Sequence, residues 1–417
     1  MGFLPSICAV SVEVVSSRLS PRSRAARSAV RLVNTLSRRL GRGEGSVVGG
    51  WVGLAIDPQL VRALSRGREM ILVSGTNGKT TTAEMLRRAW GDDAGGNRTG
   101  SNMTQGHVAA LVNDPSPRMV LEVDEGYLGE IVAQAQPRAV VLLNLSRDQL
   151  DRAAEVRHLA LKWREALRDV RGVVANANDP LVVYAAETAR DVVWVRVPVE
   201  WRKDAASCPH CTRPLSYGPS GDWGCECGFA RPATFVGELI DGSLRLGELT
   251  VPLELKVPGE VNRVNAVMAL SALHTLGVDP ENAARRLRDL DSVAGRYQTY
   301  PWRGRSIRLI LAKNPAGFGE ALRALEPGDE VWMAINSQIA DGRDPSWLYD
   351  TDVSALAGRV VHCAGERRLD LATRLTYEGI EVRVMDQPSS TPVGEGRVSL
   401  VANYTAFREW RQMLERP

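Results

Sequence analysis

Through the middle of the chain, short all-apolar runs alternate with stretches whose apolar residues recur every three or four positions. Met70–Val73, Met119–Val123, Arg138–Leu143 and Gly172–Ala175 read as buried strands, and Ala83, Met85, Leu86, Ala89 and Trp90 mark the apolar side of a helix between the first two. This alternation predicts an α/β domain with a mostly parallel sheet. The pattern breaks at residues 203–232 and resumes as Phe235–Val257, which reads as antiparallel strands around an Asp241-Gly242 turn. A helix opens after Pro258-Gly259. From about Tyr297 a second, smaller α/β unit follows, with strands predicted at Ile307–Leu311, Glu330–Ile335, Arg359–Cys363, Glu381–Val384 and Val398–Ala402.

The ends and connections are less regular. Residues 1–17 show no pattern. Arg18–Arg42 holds eight arginines and no acid, with Leu19, Ala26, Val30, Val33, Leu36 and Leu40 at helical spacing. Two readings stand: a solvated amphipathic helix packed on the main domain, or an arginine face drawn to anionic lipid headgroups, a peripheral contact with the inner membrane surface. Gly41–Gly53 reads as a glycine-rich loop and Gly95–Gly106 as a flexible polar segment near the substrate. The expected division is a basic extension over 1–45, an ATP-binding domain over 46–295 with an insertion at 203–232, and a C-terminal domain over 296–417.

At 417 residues, with 44% hydrophobic and 24% charged positions, the chain has the composition of a soluble globular protein of two or three domains. A net charge of +3 favours no class of partner. No run reaches the roughly 18 apolar residues of a membrane span, and Glu13 and the serines interrupt the apolar run Ile7–Val15, so no secretory leader is read and a cytoplasmic protein is expected.

Two constellations carry chemistry. In the first, Gly75-Thr76-Asn77-Gly78-Lys79-Thr80-Thr81 sits between an aliphatic strand and an amphipathic helix. Glycines there let backbone N–H groups wrap an anion, the helix N-terminus and Lys79 add positive charge, and the Thr80 hydroxyl is placed for Mg²⁺, so ATP binding is predicted. Val73 stands where the longer phosphate-loop pattern has its first glycine. The strand ending in Glu122, Asp124 and Glu125 supplies carboxylates of the kind that hold Mg²⁺ directly or through water.

In the second, Cys208, Cys211, Cys225 and Cys227 cluster while Cys8 and Cys363 stand apart. Four thiolates suit tetrahedral Zn²⁺ and leave no open position, so a structural zinc ribbon in a reducing compartment is expected, with His210 as an alternative ligand.

The short Gly-Thr-Asn-Gly-Lys-Thr loop resembles that of the Mur ligase and folylpolyglutamate synthetase superfamily. Asn144-Leu145-Ser146-Arg147-Asp148-Gln149-Leu150-Asp151 is similar to the signature of its MurT branch, which has glutamine where other Mur ligases have histidine. The cysteine insertion and the Asp341-Gly342-Arg343-Asp344-Pro345-Ser346-Trp347 stretch also resemble MurT proteins. Asn176-Ala177-Asn178-Asp179-Pro180 resembles a further superfamily loop. This resemblance spans about 45–417 and implies a Mur-ligase-type central P-loop ATPase domain with an inserted zinc ribbon, followed by a smaller C-terminal α/β domain. It implies Glu122 as the Mg²⁺ ligand, Asn262, Asn265, Arg296 and Asn314 as nucleotide contacts, and Asp350 as a residue needed for activity. Lys162 lies near, but not at, the place of a carbamylated lysine in some Mur ligases, and a solvated lysine is the simpler reading. Asn262 and Asn265 taken alone equally suit a helix start, and Asp350 a turn.

The implied activity belongs to peptidoglycan synthesis: ATP activates the α-carboxyl of D-glutamate in the lipid II stem peptide, and ammonia forms the amide. No cysteine outside the ribbon has the setting of a glutaminase nucleophile, so a GatD-type glutamine amidotransferase partner is implied. Asp350 either orients ammonia or supports that partner's catalytic pair. The alternatives are a folylpolyglutamate-type ligase adding a free amino acid, against which Gln149, the ribbon and Trp347 count, and a zinc-ribbon ATPase dependent on nucleic acid, against which the lack of a helicase motif set and of base-stacking aromatics counts.

Overall fold

The computed structural model describes residues 19–39, 46–97, 101–148, 156–219, 221–290, 298–386 and 394–415. Within these, the chain forms two units: one from residues up to Leu145, Arg157–Lys256 and Val261–Leu290, the other from Ser146–Val156, Val257–Glu260 and Asp291 onward.

The first unit begins with three helices, α1 (Pro21–Arg39), α2 (Ser46–Ile56) and α3 (Leu60–Ser65). Its sheet takes β1 (Glu69–Ser74), β2 (Ala94–Gly96), β3 (Arg118–Glu122), β4 (Ala139–Leu142), β5 (Val173–Asn176) and β6 (Val192–Arg196), all parallel, in the spatial order β6-β5-β4-β1-β3-β2. Helices α4 (Lys79–Trp90), α5 (Thr104–Asn113), α6 (Leu128–Ala135), α7 (Val156–Leu167) and α8 (Pro180–Ala186) connect them. Met70–Val73, Met119–Leu121 and Ala139–Leu142 are almost wholly buried, as strands covered on both faces must be. Because β1 lies between β3 and β4, the order of connection reverses at its C-terminal end, where open α/β sheets form their crevice.

A two-stranded ribbon, β7 (Ser216–Tyr217) and β8 (Trp223–Gly224), carries the cysteines. The hairpins β9 (Gly237–Ile240), β10 (Ser243–Leu246) and β11 (Leu249–Pro252) then extend the large sheet, turning at Asp241 (φ 46°) and Gly242 (φ 74°). The pair of left-handed residues is what a two-residue hairpin turn requires. Helices α9 (Glu260–Thr275) and α10 (Pro280–Leu287) complete the unit.

The second unit holds β12 (Thr299–Trp302), β13 (Arg305–Leu311), β14 (Glu330–Ala334), β15 (Val360–Ala364), β16 (Glu381–Val384) and β17 (Gly396–Ala402), in the order β12-β13-β17-β14-β15-β16, parallel except β12. Helices α11 (Pro315–Arg323), α12 (Arg368–Tyr377) and α13 (Tyr404–Leu414) flank it, and its two faces bury Phe318, Trp347 and Leu371 on one side and Trp332, Phe407 and Trp410 on the other.

Two connections differ from expectation. The glycine-rich stretch expected as a loop is helical from Ser46 onward, because its glycines serve packing. A Cβ at Gly49 would stand 2.0 Å from Asn34 Oδ1 of α1, and one at Gly50 would stand 2.0 Å from the Gln105 carbonyl of α5. The segment 95–106 is likewise ordered where described: Gly95 and Gly96 pair in β2, Asn97 is buried, and α5 starts at Thr104.

Candidate functional site

The loop after β1 is built by its glycines. Gly75 (φ 150°) and Gly78 (φ 86°) take backbone angles that favour glycine, and a Cβ at Gly78 would lie 2.6 Å from Asn265 Oδ1. Asn144, at the end of the neighbouring strand, braces the loop three times. Its carbonyl accepts from Thr76 N (2.9 Å), its Oδ1 from Asn77 N (2.9 Å), and its Nδ2 donates to the Asn77 carbonyl (3.0 Å). Asn265 on α9 accepts from Thr82 Oγ1 at 3.2 Å, so this asparagine lies against the loop and the first turn of α4. Asn262 is buried one turn earlier in α9. Thr80 and Thr81 occupy the first turn of α4, Thr81 buried and Thr80 half-buried.

Lys79 is buried. Its Nζ donates to the Gly75 and Thr76 carbonyls and meets Glu125 Oε2 at 3.2 Å. The acids after β3 are thereby sorted by role. Asp124 accepts from Gly126 N at 3.0 Å in a turn, Glu125 faces the lysine, and Glu122 sits beside Val73 in the β1–β3 register. Glu122 is gripped by its backbone: Asn97 accepts its N–H (2.9 Å) and donates to its carbonyl (2.9 Å), and His107 Nε2–H donates to the same carbonyl at 2.8 Å. Its carboxylate has no hydrogen-bond or ion-pair partner among the described residues, so it is available to a cation. Burial holds His107 neutral, down at about 4, which fits a ring that only donates.

The residues fit a nucleotide and its metal. A cradle of small residues, a helix N-terminus, a lysine and an uncommitted carboxylate converge at the sheet's switch point.

The four ribbon thiols also converge. Cys208 and Cys227 Sγ are 3.7 Å apart, Cys211 and Cys225 are 3.4 Å apart, and all four lie within 4.8 Å of one another. Zinc at the usual ~2.3 Å from each sulfur of a tetrahedron requires edges of about 3.8 Å. Tight turns aim the thiols: Thr212 N donates to the Cys208 carbonyl, Gly228 N to that of Cys225, and Gly228 takes φ 91°. The Phe229 N–H and the neighbouring thiols bring Cys227 down to about 7. His210 is not a ligand. Its Nε2 lies 2.7 Å from Glu187 and its ring packs against Tyr184 and Phe229.

The second unit places Asp350 at the end of a short helical turn, Pro345–Tyr349, with its carboxylate 3.3 Å from Arg147 NH1. The other acids of this loop are structural: Asp341 accepts from Thr405 N, Asp344 from Ser346 N and Asp352 from Ser354 N. Asn314 caps α11 by accepting from Gly317 N (2.8 Å) and donates to Asp148 at 3.1 Å. Lys162 is exposed on α7. Arg296 and Gln149 lie outside the described residues.

Sequence reasoning missed Asn97 and His107, the role of Asn144 in bracing the loop, and the pairing of Glu125 with Lys79. Asn144 was legible in principle, being the polar residue that ends the strand beside the loop strand.

Comparison with known proteins agrees with this architecture. Residues 73–196 match the Mur ligase middle domain and residues 311–407 the MurT ligase C-terminal family. The chain is 27% identical to the lipid II isoglutaminyl synthase (glutamine-hydrolyzing) subunit MurT of Staphylococcus aureus strain COL, covering 93% of this chain and 96% of that one. The subunit of the same name from Streptococcus pneumoniae is also 27% identical, over 90% and 93% of the two chains. In fold, the chain is similar to a pseudomurein peptide ligase type C from Methanothermus fervidus, with TM-score 0.66, 19% identity and 84% of this chain against 79% of that one. It is similar also to MurF from Acinetobacter baumannii, with TM-score 0.61, 15% identity, 87% and 79%.

Proposed function

We propose that this chain, which belongs to the MurT branch of the Mur ligase superfamily, is the synthetase subunit of a glutamine-hydrolysing lipid II isoglutaminyl synthase. The observation that carries the reading is similarity along nearly the whole length to subunits of that name, combined with a phosphate loop whose neighbouring strand ends in an uncommitted glutamate. In this reading residues 46–295 bind ATP, 203–232 form the ribbon and 296–417 form the C-terminal domain.

A carboxylate resists attack by an amine, so its oxygen must first gain a leaving group. The γ-phosphoryl of ATP passes to the α-carboxylate of D-glutamate in the lipid II stem, with ADP departing. Ammonia then attacks the carbonyl carbon, the amide forms and phosphate leaves. The loop N–H groups and Lys79 meet the charge that spreads over the phosphoryl oxygens. Thr80 and Glu122 would hold Mg²⁺, which when bound would neutralise the same charge. The family resemblance assigns Asn262, Asn265, Asn314 and Arg296 to the nucleotide, and Asp350 to orienting ammonia or supporting the partner.

Ammonia comes from a GatD-type glutaminase subunit. The chain's own Cys363 is fully buried in β15 and burial pushes its thiol up to about 12, which suits no nucleophile. Zinc on the four cysteines supports the ribbon and takes no part in the reaction.

The test is mass spectrometry of lipid II incubated with ATP, Mg²⁺ and glutamine, using the chain co-purified with its glutaminase. Conversion of acid to amide, lost on Lys79→Ala, supports the reading. ATP turnover that joins a free amino acid to another acceptor, with lipid II unchanged, sinks it.

A further inference from the structure

The N-terminal helix pair has a surface that the ATP site does not use. Helix α1 packs through Ser23, Ala26, Val30 and Asn34, which recur on one face. Its opposite half is divided lengthwise. Arg24, Arg31 and Arg38, seven residues apart, form one exposed lane, while Leu32 and Leu36 are 63% and 47% exposed on the adjoining one. Helix α2 contains no charged residue at all, yet only its glycine face is covered. Val48 and Trp51 are 58% and 61% exposed, and Val47 stands beside them. A short helix that is apolar all round is ordinarily buried. Gly49 and Gly53 seat it against Asn34 and Val30 of α1, so the two exposed apolar surfaces belong to one packed pair.

We propose that α1 and α2 form a docking surface for an anionic lipid bilayer. Trp51, Val47, Val48, Leu32 and Leu36 enter the interface, and Arg24, Arg31, Arg38 and Arg39 meet the headgroup phosphates. The charge argues for this occupant over a protein. Residues 18–56 hold eight arginines against a single acid, Glu44, and those four arginines form no ion pair among the described residues. Exposed aromatic and aliphatic side chains beside a one-signed arginine lane are the design of a helix lying in a membrane interface. No described helix is long and apolar enough to cross a membrane, so the contact is peripheral. The inference stands on the surface itself and does not rest on the amidation chemistry, although a lipid-linked substrate would place the enzyme at such a surface.

The test is flotation of the full-length chain with vesicles of phosphatidylglycerol and phosphatidylcholine, against phosphatidylcholine alone. Binding to the anionic vesicles at low salt is expected, weakened about fivefold by each of Arg31→Gln and Arg38→Gln and suppressed by high salt. Trp51→Glu should abolish it with the melting temperature unchanged. In vesicles with brominated acyl chains, quenching of tryptophan emission should fall in Trp51→Phe. Equal binding to neutral vesicles, no binding at low salt, or binding indifferent to these substitutions would overturn the proposal. So would a dimer, or a complex with the glutaminase, that Trp51→Glu dissociates while vesicles are ignored. Vesicle binding without lipid II amidation would leave this surface standing and remove only the enzymatic reading.

Discussion

Arg147 NH1 lies 3.3 Å from Asp350 Oδ2 in the second unit, and Asp148, the next residue, accepts from Asn314. The pair joins the stretch that leads into Gln149 with the acid that ends the short helical turn Pro345–Tyr349. Both partners are about a third exposed, so their attraction contributes no more than about 1 kcal/mol to stability. Asp350→Asn should therefore melt within a degree or two of the parent while losing lipid II amidation and keeping nucleotide binding. A large drop in melting temperature for both Asp350→Asn and Arg147→Ala would make the aspartate an architectural residue.

The phosphate loop predicts two different failures at adjacent positions. Gly78→Ala places a Cβ 2.6 Å from Asn265 Oδ1 and forces a left-handed residue, which costs about 1–2 kcal/mol before the clash is counted. Calorimetric titration with a nonhydrolysable ATP analogue should show weakened binding. Lys79→Ala keeps the glycine angles and the Asn144 braces of the loop, losing only the Nζ bonds to the Gly75 and Thr76 carbonyls, and should instead slow ADP formation by about 10²–10³-fold, the scale of losing one group aimed at transferring charge.

Asn144 offers a contrast, because it touches the loop only through backbone groups. Asn144→Ala removes one acceptor and one donor, about 1 kcal/mol each, from a segment that must be held open for an anion. The expected result is a raised KM for ATP with a smaller change in kcat. An unchanged KM would mean that the Thr76 N bond to the backbone carbonyl suffices.

These contacts mark where the sequence could and could not be read. The loop and the ribbon were legible because each compresses its chemistry into a contiguous stretch, and the apolar runs at the heart of β1, β3 and β4 declare themselves by composition. Helix α2 was not, since Gly49, Gly50 and Gly53 look like loop residues until Asn34 and Gln105 are seen against them. Strand β6 was also missed, its inward positions alternating with outward ones in Val192–Arg196. The grip of Asn97 and His107 on Glu122 joins residues that no local pattern connects.

The ribbon is tied to the large sheet's helices and loops. Trp223 Nε1 donates to the Ala177 carbonyl (3.2 Å), Arg157 to that of Pro209 (3.0 Å), and Arg231 to Asn178 (3.3 Å). Removing zinc with a strong chelator should therefore lower the melting temperature of the whole first unit by several degrees, because metal binding is folding free energy for such a site. Native mass spectrometry should find a single zinc, lost in Cys208→Ser. If chelation stops amidation at temperatures where the chain stays folded, the metal is more than structural.

Asp179 caps α8 by accepting from Leu181 N (2.9 Å) and Val182 N (3.1 Å), and also accepts from Leu145 N (2.9 Å). Burial is the largest influence on it and raises its carboxyl from 3.8 to about 6, against the three N–H bonds that favour the charged form. The folded state therefore holds a proton that the unfolded chain releases near pH 4. The stabilisation is fully present below pH 4 and is lost as pH rises through about 6, a difference of roughly 3 kcal/mol. Asp179→Asn keeps an acceptor for the cap and removes the titration. Calorimetry of the two proteins at pH 4.5 and 7 should show the parent losing stability relative to the variant as pH rises. A parent that gains on the variant over the same interval would mean that the three N–H donors outweigh burial and that the carboxylate is charged throughout.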